Sequence, residues 1–155
     1  MAYPFGTTNP EVKAALRALG IVYSRGVMSN RRMSYFPQDW LEWQPTAHHK
    51  EKIMELGEEL LKNPWGLKML YILGHACEFE QAGNWYIIQE FCDKLAGKDE
   101  IWYATNIEIY DYIQACKNLI VSMDGHLVKN PSAQPVWITC GDQLYKIDGG
   151  QLLSL

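Results

Sequence analysis

The segment YILGHACEFE, residues 71–80, contains a histidine in a position where it could do chemistry. His75 follows an apolar run and Gly74, so its imidazole could project from a strand end into a cleft and transfer protons near neutral pH. Glu78 and Glu80 lie just downstream and could orient the ring. The alternative is a hydrogen-bonded histidine at a strand end beside two solvated acids. The spacing alone favours neither interpretation.

The segment FPQDWLEWQPTAHH, residues 36–49, is the second concentration of candidate side chains. Asp39 could hold an imidazole in one tautomer, and Trp40 or Trp43 could wall a small apolar pocket. Equally, Asp39 could be a surface turn residue and both tryptophans could belong to the core. His48 and His49 are adjacent, which is not the i, i+4 spacing of two ligands on one helix face. They more commonly cap a helix, so the sequence assigns no metal ligand.

Several protein classes lose support from missing motifs and from charge. The sequence has no G-x-S-x-G, G-x-x-x-x-G-K or G-x-G-x-x-G, which argues against serine hydrolases and nucleotide enzymes. Fourteen Lys and Arg against 18 Asp and Glu give a net charge of -4, and no basic stripe occurs. Nucleic acid is therefore not expected as a partner. The four scattered cysteines lack metal-site spacing and are predicted to be buried thiols.

Chain length and hydropathy set the remaining limits. A chain of 155 residues fits one domain, here residues 1–155. No apolar run approaches the length of a membrane span, so no membrane interaction is expected. The N-terminus MAYPFGTTNP lacks the charged and apolar regions of a signal peptide. The chain as it stands is predicted to stay in the cytoplasm.

Alternating strand and helix patterns indicate how these residues would be positioned. Helices are predicted from Asn9, over 48–62 with a break at Asn63-Pro64, from Asn84 to Gly97, and from Thr105 or Asn106. The segments AYPF, IVYS, KMLYILG and EIWYAT would be the strands before them. The pattern predicts about four βα units over 1–123, with mainly parallel strands, and a small antiparallel β tail over 124–155. In such sheets the chemistry lies at the carboxyl ends of the strands.

The chain also resembles a known family. The segments YPFGTTNPEVKAALRALGI, FPQDWLEWQPTAHH, LGHACEFE, NWYIIQEFC, DEIWYATNIEIYDYIQA and NPSAQPVWI are similar to the C-terminal half of polysaccharide deacetylases, the NodB-homology carbohydrate esterases. Leu73-Gly74-His75 resembles their L-x-H motif, and residues 2–6, AYPFG, resemble R-x-P-Y. The resemblance implies half of a distorted (β/α) barrel. It also implies a family activity that hydrolyses acetyl groups from sugar polymers with a divalent metal, usually zinc.

The resemblance further implies roles for individual residues. His75 would be the general acid, and Asp39 would be the carboxylate that tunes it. The remaining roles concern the oxyanion and the substrate pocket. Phe5 would offer its backbone N–H to the oxyanion, Leu73 would line the acetyl pocket, and Trp40, with Trp43 as the alternative, would form its aromatic wall.

Two departures from the family pattern limit the expected activity. Ala2 stands where the motif has arginine. The upstream motifs T-F-D-D and H-x-x-x-H, which carry the base and the protein metal ligands in the family, have no counterpart. We therefore expect no cofactor in this chain and no activity by the chain alone, with a homodimer through exposed barrel edges. The alternative is a noncatalytic module that binds glycans or serves in assembly.

Overall fold

The computed structural model describes residues 1–62 and 66–155. The chain forms two compact units, residues 1–101 and 102–155, which are described separately. Chain length predicts that residues 1–155 fold as one domain, and this stays a prediction. The predicted helix break at Asn63-Pro64 lies outside the described residues. Within the described ranges, no helix combines the length and the apolar composition needed to cross a membrane.

In the first unit, the described residues form four α-helices and one short parallel strand pair. The helices are α1 (Pro10–Ala18), α2 (Ile53–Lys62), α3 (Ala76–Ala82) and α4 (Tyr86–Leu95), and the strands are β1 (Ala47–His48) and β2 (Ile72–Leu73). Asn9 starts α1 as predicted, because its Oδ1 accepts the Val12 N–H at 2.8 Å. Apolar side chains of α2 and α4 form a core around Ile53, Phe91 and Leu95.

The second unit contains one helix and two small antiparallel sheets. Helix α5 (Asn106–Lys117) is followed by β3 (Ile120–Val121), β4 (Leu127–Lys129), β5 (Val136–Cys140), β6 (Gln143–Ile147) and β7 (Leu152–Ser154). Thr105 caps α5, as predicted, with a side chain that accepts the Glu108 N–H. The sheet orders are β3-β4-β7 and β5-β6. The second is a hairpin that turns at Gly141, whose φ of 58° suits glycine.

The prediction of a half-barrel with mainly parallel strands is wrong. The protein is mixed α/β, and among the described residues the parallel strand pairing is confined to β1 and β2, in the register Ala47 with Ile72 and His48 with Leu73. Of AYPF, only Ala2 takes part in pairing, through an isolated bridge to Arg25. No residue of IVYS or EIWYAT is in a strand. The homodimer was predicted from the exposed edges of a half-barrel. Because the half-barrel prediction is wrong, this argument no longer supports the homodimer, which stays a prediction.

Local chemistry explains why the expected strands do not extend. Pro4 has no N–H to donate, and Phe5 has a φ of 56°, so the chain leaves the extended conformation and forms a 3-10 turn over Pro4–Gly6. Trp102 and Tyr103 are more than half exposed, whereas strands of a parallel sheet are covered on both faces. An apolar run by itself did not distinguish a buried strand from an exposed connection.

The cysteines also differ from their predicted burial. Cys77, Cys92 and Cys140 are exposed and Cys116 is half-buried. The buried residues of α4 are Phe91 and Leu95, and Cys92 lies outside the face that they form, which leaves its thiol in solvent.

Candidate functional site

The ends of β1 and β2 bring two segments of the first unit together. His48 lies opposite Leu73, and the His49 N–H donates to the Leu73 carbonyl at 2.8 Å. His49 and Gly74 are consequently in close contact. A Cβ on Gly74 would lie 2.1 Å from His49 Nδ1, so glycine is the residue that leaves room for this imidazole.

Helix α3 brings a carboxylate to the same place. His75 is its N-cap residue, and Glu78 Oε2 accepts the His75 backbone N–H at 3.1 Å. Gly83 ends the helix in a left-handed conformation with a φ of 60°. The segment after β2 is therefore a short helix whose Glu78 side chain points back to the N-cap residue, His75.

His48, His49 and Glu78 form what we call the His–Glu cluster. Glu78 Oε2 lies 3.2 Å from His48 Nε2 and 3.6 Å from His49 Nδ1. One nitrogen of each ring and one carboxylate oxygen all lie within 4.8 Å of one another. Lys50 Nζ pairs with the other carboxylate oxygen, Oε1. The cluster thus has two imidazoles and one cation arranged around a single carboxylate.

The most buried member of the cluster is His49. It is 4% exposed, and neither of its ring nitrogens has a hydrogen-bond partner in the protein. Burial, followed by the nearby His48, lowers the pKa of His49 below its ordinary value. The hydrogen bond from Lys50 is the main cause that lowers the pKa of Glu78 to about 2. At neutral pH the site therefore holds an ionised carboxylate beside a neutral, unpaired imidazole.

Aromatic contacts continue from the cluster to the surface. The His48 and His49 ring centroids are 4.4 Å apart, and Phe79 lies 4.1 Å beyond His49. Trp85 stacks on Phe79 at 5.2 Å with an interplanar angle of 29°. A ring that is 41% exposed therefore lies two contacts away from a buried histidine.

A shallow pocket of about 390 Å³ adjoins the cluster. Its lining includes His49, Lys52, Asn84 and Ile87. The Asn84 amide oxygen is buried and has no hydrogen-bond partner in the protein. Polar groups without a partner on a pocket wall are suited to contact a polar ligand.

His75 and Leu73, the L-x-H residues, lie at the edge of the His–Glu cluster. Leu73 is buried at the end of β2, and His75 is exposed two residues further on. The exposed position leaves the imidazole accessible to a ligand. The chain therefore passes from the buried, apolar Leu73 to the exposed His75 imidazole within two residues.

Asp39 is engaged elsewhere in the first unit. Its carboxylate accepts hydrogen bonds from Lys13 Nζ at 2.9 Å and from the Leu41 backbone N–H at 3.0 Å, and it pairs with Arg17 at 3.4 Å. Burial acts to raise the pKa of Asp39, but the hydrogen bonds from Lys13 and Leu41 and the charge of Arg17 together lower it. The contacts described for this carboxylate join α1 to a second 3-10 turn, Trp40–Glu42, and none of them involves His75.

The two tryptophans are core residues, and Phe5 is a surface residue. Trp43 is 0% exposed and meets Trp40 edge to face at 4.9 Å, and it packs against Tyr71 at 5.1 Å. The Phe5 side chain is 98% exposed, at the 3-10 turn that follows Tyr3. Of the pocket residues implied by the resemblance, Leu73 is the one that adjoins His75 along the chain.

Sequence reasoning missed the cluster because it treated its members separately. The adjacent histidines His48 and His49 were predicted not to bind a metal, and Glu78 was considered only as a partner of His75. The available signal was the spacing from His75 to Glu78 to Gly83, an acid at the third position of a helix that glycine ends.

No family model, curated protein or solved structure matches the chain.

Proposed function

We propose that the chain is a polysaccharide-deacetylase-like protein that binds acetylated sugar polymers and does not hydrolyse acetyl groups by itself. The observation that supports this proposal is the exposed His75 directly after the buried end of β2, within the segment that resembles the L-x-H motif. An imidazole in this position can donate to, or accept from, the amide of an acetylated sugar.

The chemistry of amide hydrolysis explains why no activity is expected from the chain alone. Hydrolysis needs an activated water, a stabilised oxyanion and an acid for the leaving amine. His75 could be the acid, but Asp39 is paired with Lys13 and Arg17. The base of the family lies in the T-F-D-D motif, which has no counterpart in this sequence, and Asp39 is not a replacement for it, because the two cations already stabilise its charged form.

Binding and turnover can be measured with two matched oligosaccharides. We expect an N-acetylated chitooligosaccharide to bind the full chain more tightly than its deacetylated counterpart, with no release of acetate. His75→Ala should weaken binding of the acetylated form about fivefold, the effect of one lost hydrogen bond of about 1 kcal/mol. His126→Ala, in the second unit, is the matched control and should leave affinity unchanged. Acetate release by the wild-type chain, or equal affinity for both oligosaccharides, would refute the proposal.

A second candidate function is noncatalytic glycan binding through aromatic stacking. Trp85 and Tyr86 are adjacent and exposed, and the Trp85 Nε1–H donates to Glu80 Oε2 at 2.9 Å, which fixes the indole. Exposed, fixed rings provide apolar faces for sugars. Trp43 cannot serve in this way, because its side chain is fully buried.

Substitutions of exposed tryptophans separate the two functions. If stacking dominates, Trp85→Ala abolishes binding of both oligosaccharides, whereas His75→Ala has no effect. Trp102→Ala, which removes an exposed indole from the second unit, is the control for general loss of aromatic surface. Retention of full affinity by Trp85→Ala would remove this candidate.

A further inference from the structure

We propose that His48, His49 and Glu78 bind one divalent transition-metal ion of the zinc class. This site lies outside the residues to which the deacetylase resemblance assigns roles, and it is independent of which sugar the protein binds. The support consists of the spacing of the three donor atoms, the buried histidine without partners and the composition of the donor set.

The donor atoms have a spacing that fits a shared metal ion. Zinc binds nitrogen and oxygen ligands at about 2.0–2.2 Å, so two ligands at the tetrahedral angle lie about 3.4 Å apart. Glu78 Oε2 is 3.2 Å from His48 Nε2 and 3.6 Å from His49 Nδ1. The remaining pair lies within 4.8 Å, so small side-chain rotations would complete a three-ligand site.

His49 provides the second, independent observation. Burial of a polar ring without a hydrogen bond costs free energy, and most buried polar groups therefore have partners. Both nitrogens of His49 lack one although the residue is 4% exposed, and Nδ1 faces Glu78. Gly74 preserves this arrangement, since a larger residue would occupy the space of the ring. A metal ion is the partner that this geometry can accommodate.

The donor set selects the class of ion. Two imidazole nitrogens and one carboxylate oxygen are typical of zinc sites that keep a further position open, whereas calcium and magnesium prefer oxygen ligands alone. The side chains of His48 and Glu78 are 25% and 19% exposed, so solvent reaches the cluster. The ion could thus enter from solvent.

Two contacts with Lys50 oppose metal binding. Its ammonium group pairs with Glu78 Oε1, and its backbone N–H donates to His48 Nδ1 at 3.2 Å. In the neutral ring the proton is then on Nε2, the atom that faces Glu78. When Nε2 binds the ion, this proton is transferred to Nδ1, so Nδ1 can no longer accept and the hydrogen bond from Lys50 is lost. Because the Lys50 ammonium group competes with the ion for Glu78, its removal should tighten metal binding.

Calorimetric titration of the full chain with zinc chloride tests the site. The exposed thiols of Cys77, Cys92 and Cys140 could also bind zinc, so the titration is made both in the wild type and in a variant with all four cysteines replaced by serine. We expect one ion per chain in both. Cobalt in place of zinc should show no thiolate-to-metal charge-transfer absorption.

Ligand substitutions should follow the geometry. His48→Asn and Glu78→Gln should each weaken zinc binding by at least about tenfold, the lower end of the effect of losing even a supporting residue around a metal. Lys50→Met should tighten binding, and His126→Asn, at the histidine of the second unit, should change nothing. His48 and Glu78 are half-buried and Lys50 and His126 are exposed, so circular dichroism is used to confirm that each variant is folded.

Three results would overturn the metal site. They are absence of zinc binding by the wild type, unchanged affinity in both His48→Asn and Glu78→Gln with circular dichroism confirming the fold, and loss of all binding in the cysteine-free variant. Zinc affinity is measured without sugar, so failure here leaves the oligosaccharide results of the proposed function untouched, and the reverse also holds.

Discussion

Gly74→Ala should disturb the first unit through a single steric contact. The new Cβ would lie 2.1 Å from His49 Nδ1, 2.9 Å from Cγ and 3.1 Å from Cε1. The ring cannot easily move away, because Phe79 packs on it at 4.1 Å and the ring of His48 at 4.4 Å. The backbone of Gly74 lies outside the left-handed region, so alanine is compatible with its φ and the clash is the dominant effect.

The magnitude follows from two opposing effects. Overpacking of a tight site costs about 1–3 kcal/mol, and the reduced entropy of the unfolded chain returns about 0.4–1 kcal/mol. The free energy of unfolding should therefore fall by about 1–2 kcal/mol. For a chain of this size the Tm should fall by roughly 2–8 °C. Urea unfolding followed by tryptophan fluorescence and circular dichroism measures the change.

A double-mutant cycle tests whether His49 is the cause. In a His49→Ala background the imidazole is absent, so Gly74→Ala should be neutral or should stabilise by up to about 1 kcal/mol. The sign of the effect should thus differ between the two backgrounds. An equal cost in both would refute the reasoning, because the penalty would then arise from the backbone or from another neighbour.

Three further substitutions test other contacts. Lys94→Met should raise the pKa of Glu58 from about 2 towards its ordinary 4.5, which carboxyl NMR would measure. In the wild type, the stability that this pair contributes is present above about pH 4.5 and is lost as the pH falls towards 2. Asn130→Ala removes four hydrogen bonds from a fully buried side chain in the second unit and should cost about 2–4 kcal/mol in urea unfolding. Asp39→Asn weakens a partly exposed pair with Lys13 and should cost less than about 1 kcal/mol without changing oligosaccharide affinity; a large loss of sugar affinity would instead assign Asp39 to the site.

Helix boundaries with a local chemical cause were predictable from the sequence. Asn9 and Thr105 each accept a backbone N–H of the first helical turn. Residue type and position predicted Asn9 directly and Thr105 as one of two candidates, with Asn106. Parallel strand pairing was not predictable in the same way, because it depends on residues far apart in the chain. Pro4 and the exposed Trp102 show how a short apolar run fails to form a strand when its backbone or its coverage does not allow pairing.

The His–Glu cluster shows the same limit at the scale of a site. His49 meets Gly74 only because β1 and β2 pair in one particular register, and a shift by one residue would separate them. Glu78 reaches both histidines only because α3 begins directly at the end of β2. The residue types were visible in the sequence, but their meeting required the register and the helix together.

The four contacts of Glu78 make local folding and ligand occupancy depend on each other. Its carboxylate accepts the backbone N–H of His75, the N-cap of α3, pairs with Lys50 and faces both imidazoles. An ion that binds the folded cluster but not the unfolded segment would stabilise the fold by mass action, by about 2.7 kcal/mol at a hundredfold excess over its Kd. Fraying of α3 should accordingly decrease as metal concentration rises, and the melting temperature of the first unit should become a measure of free metal.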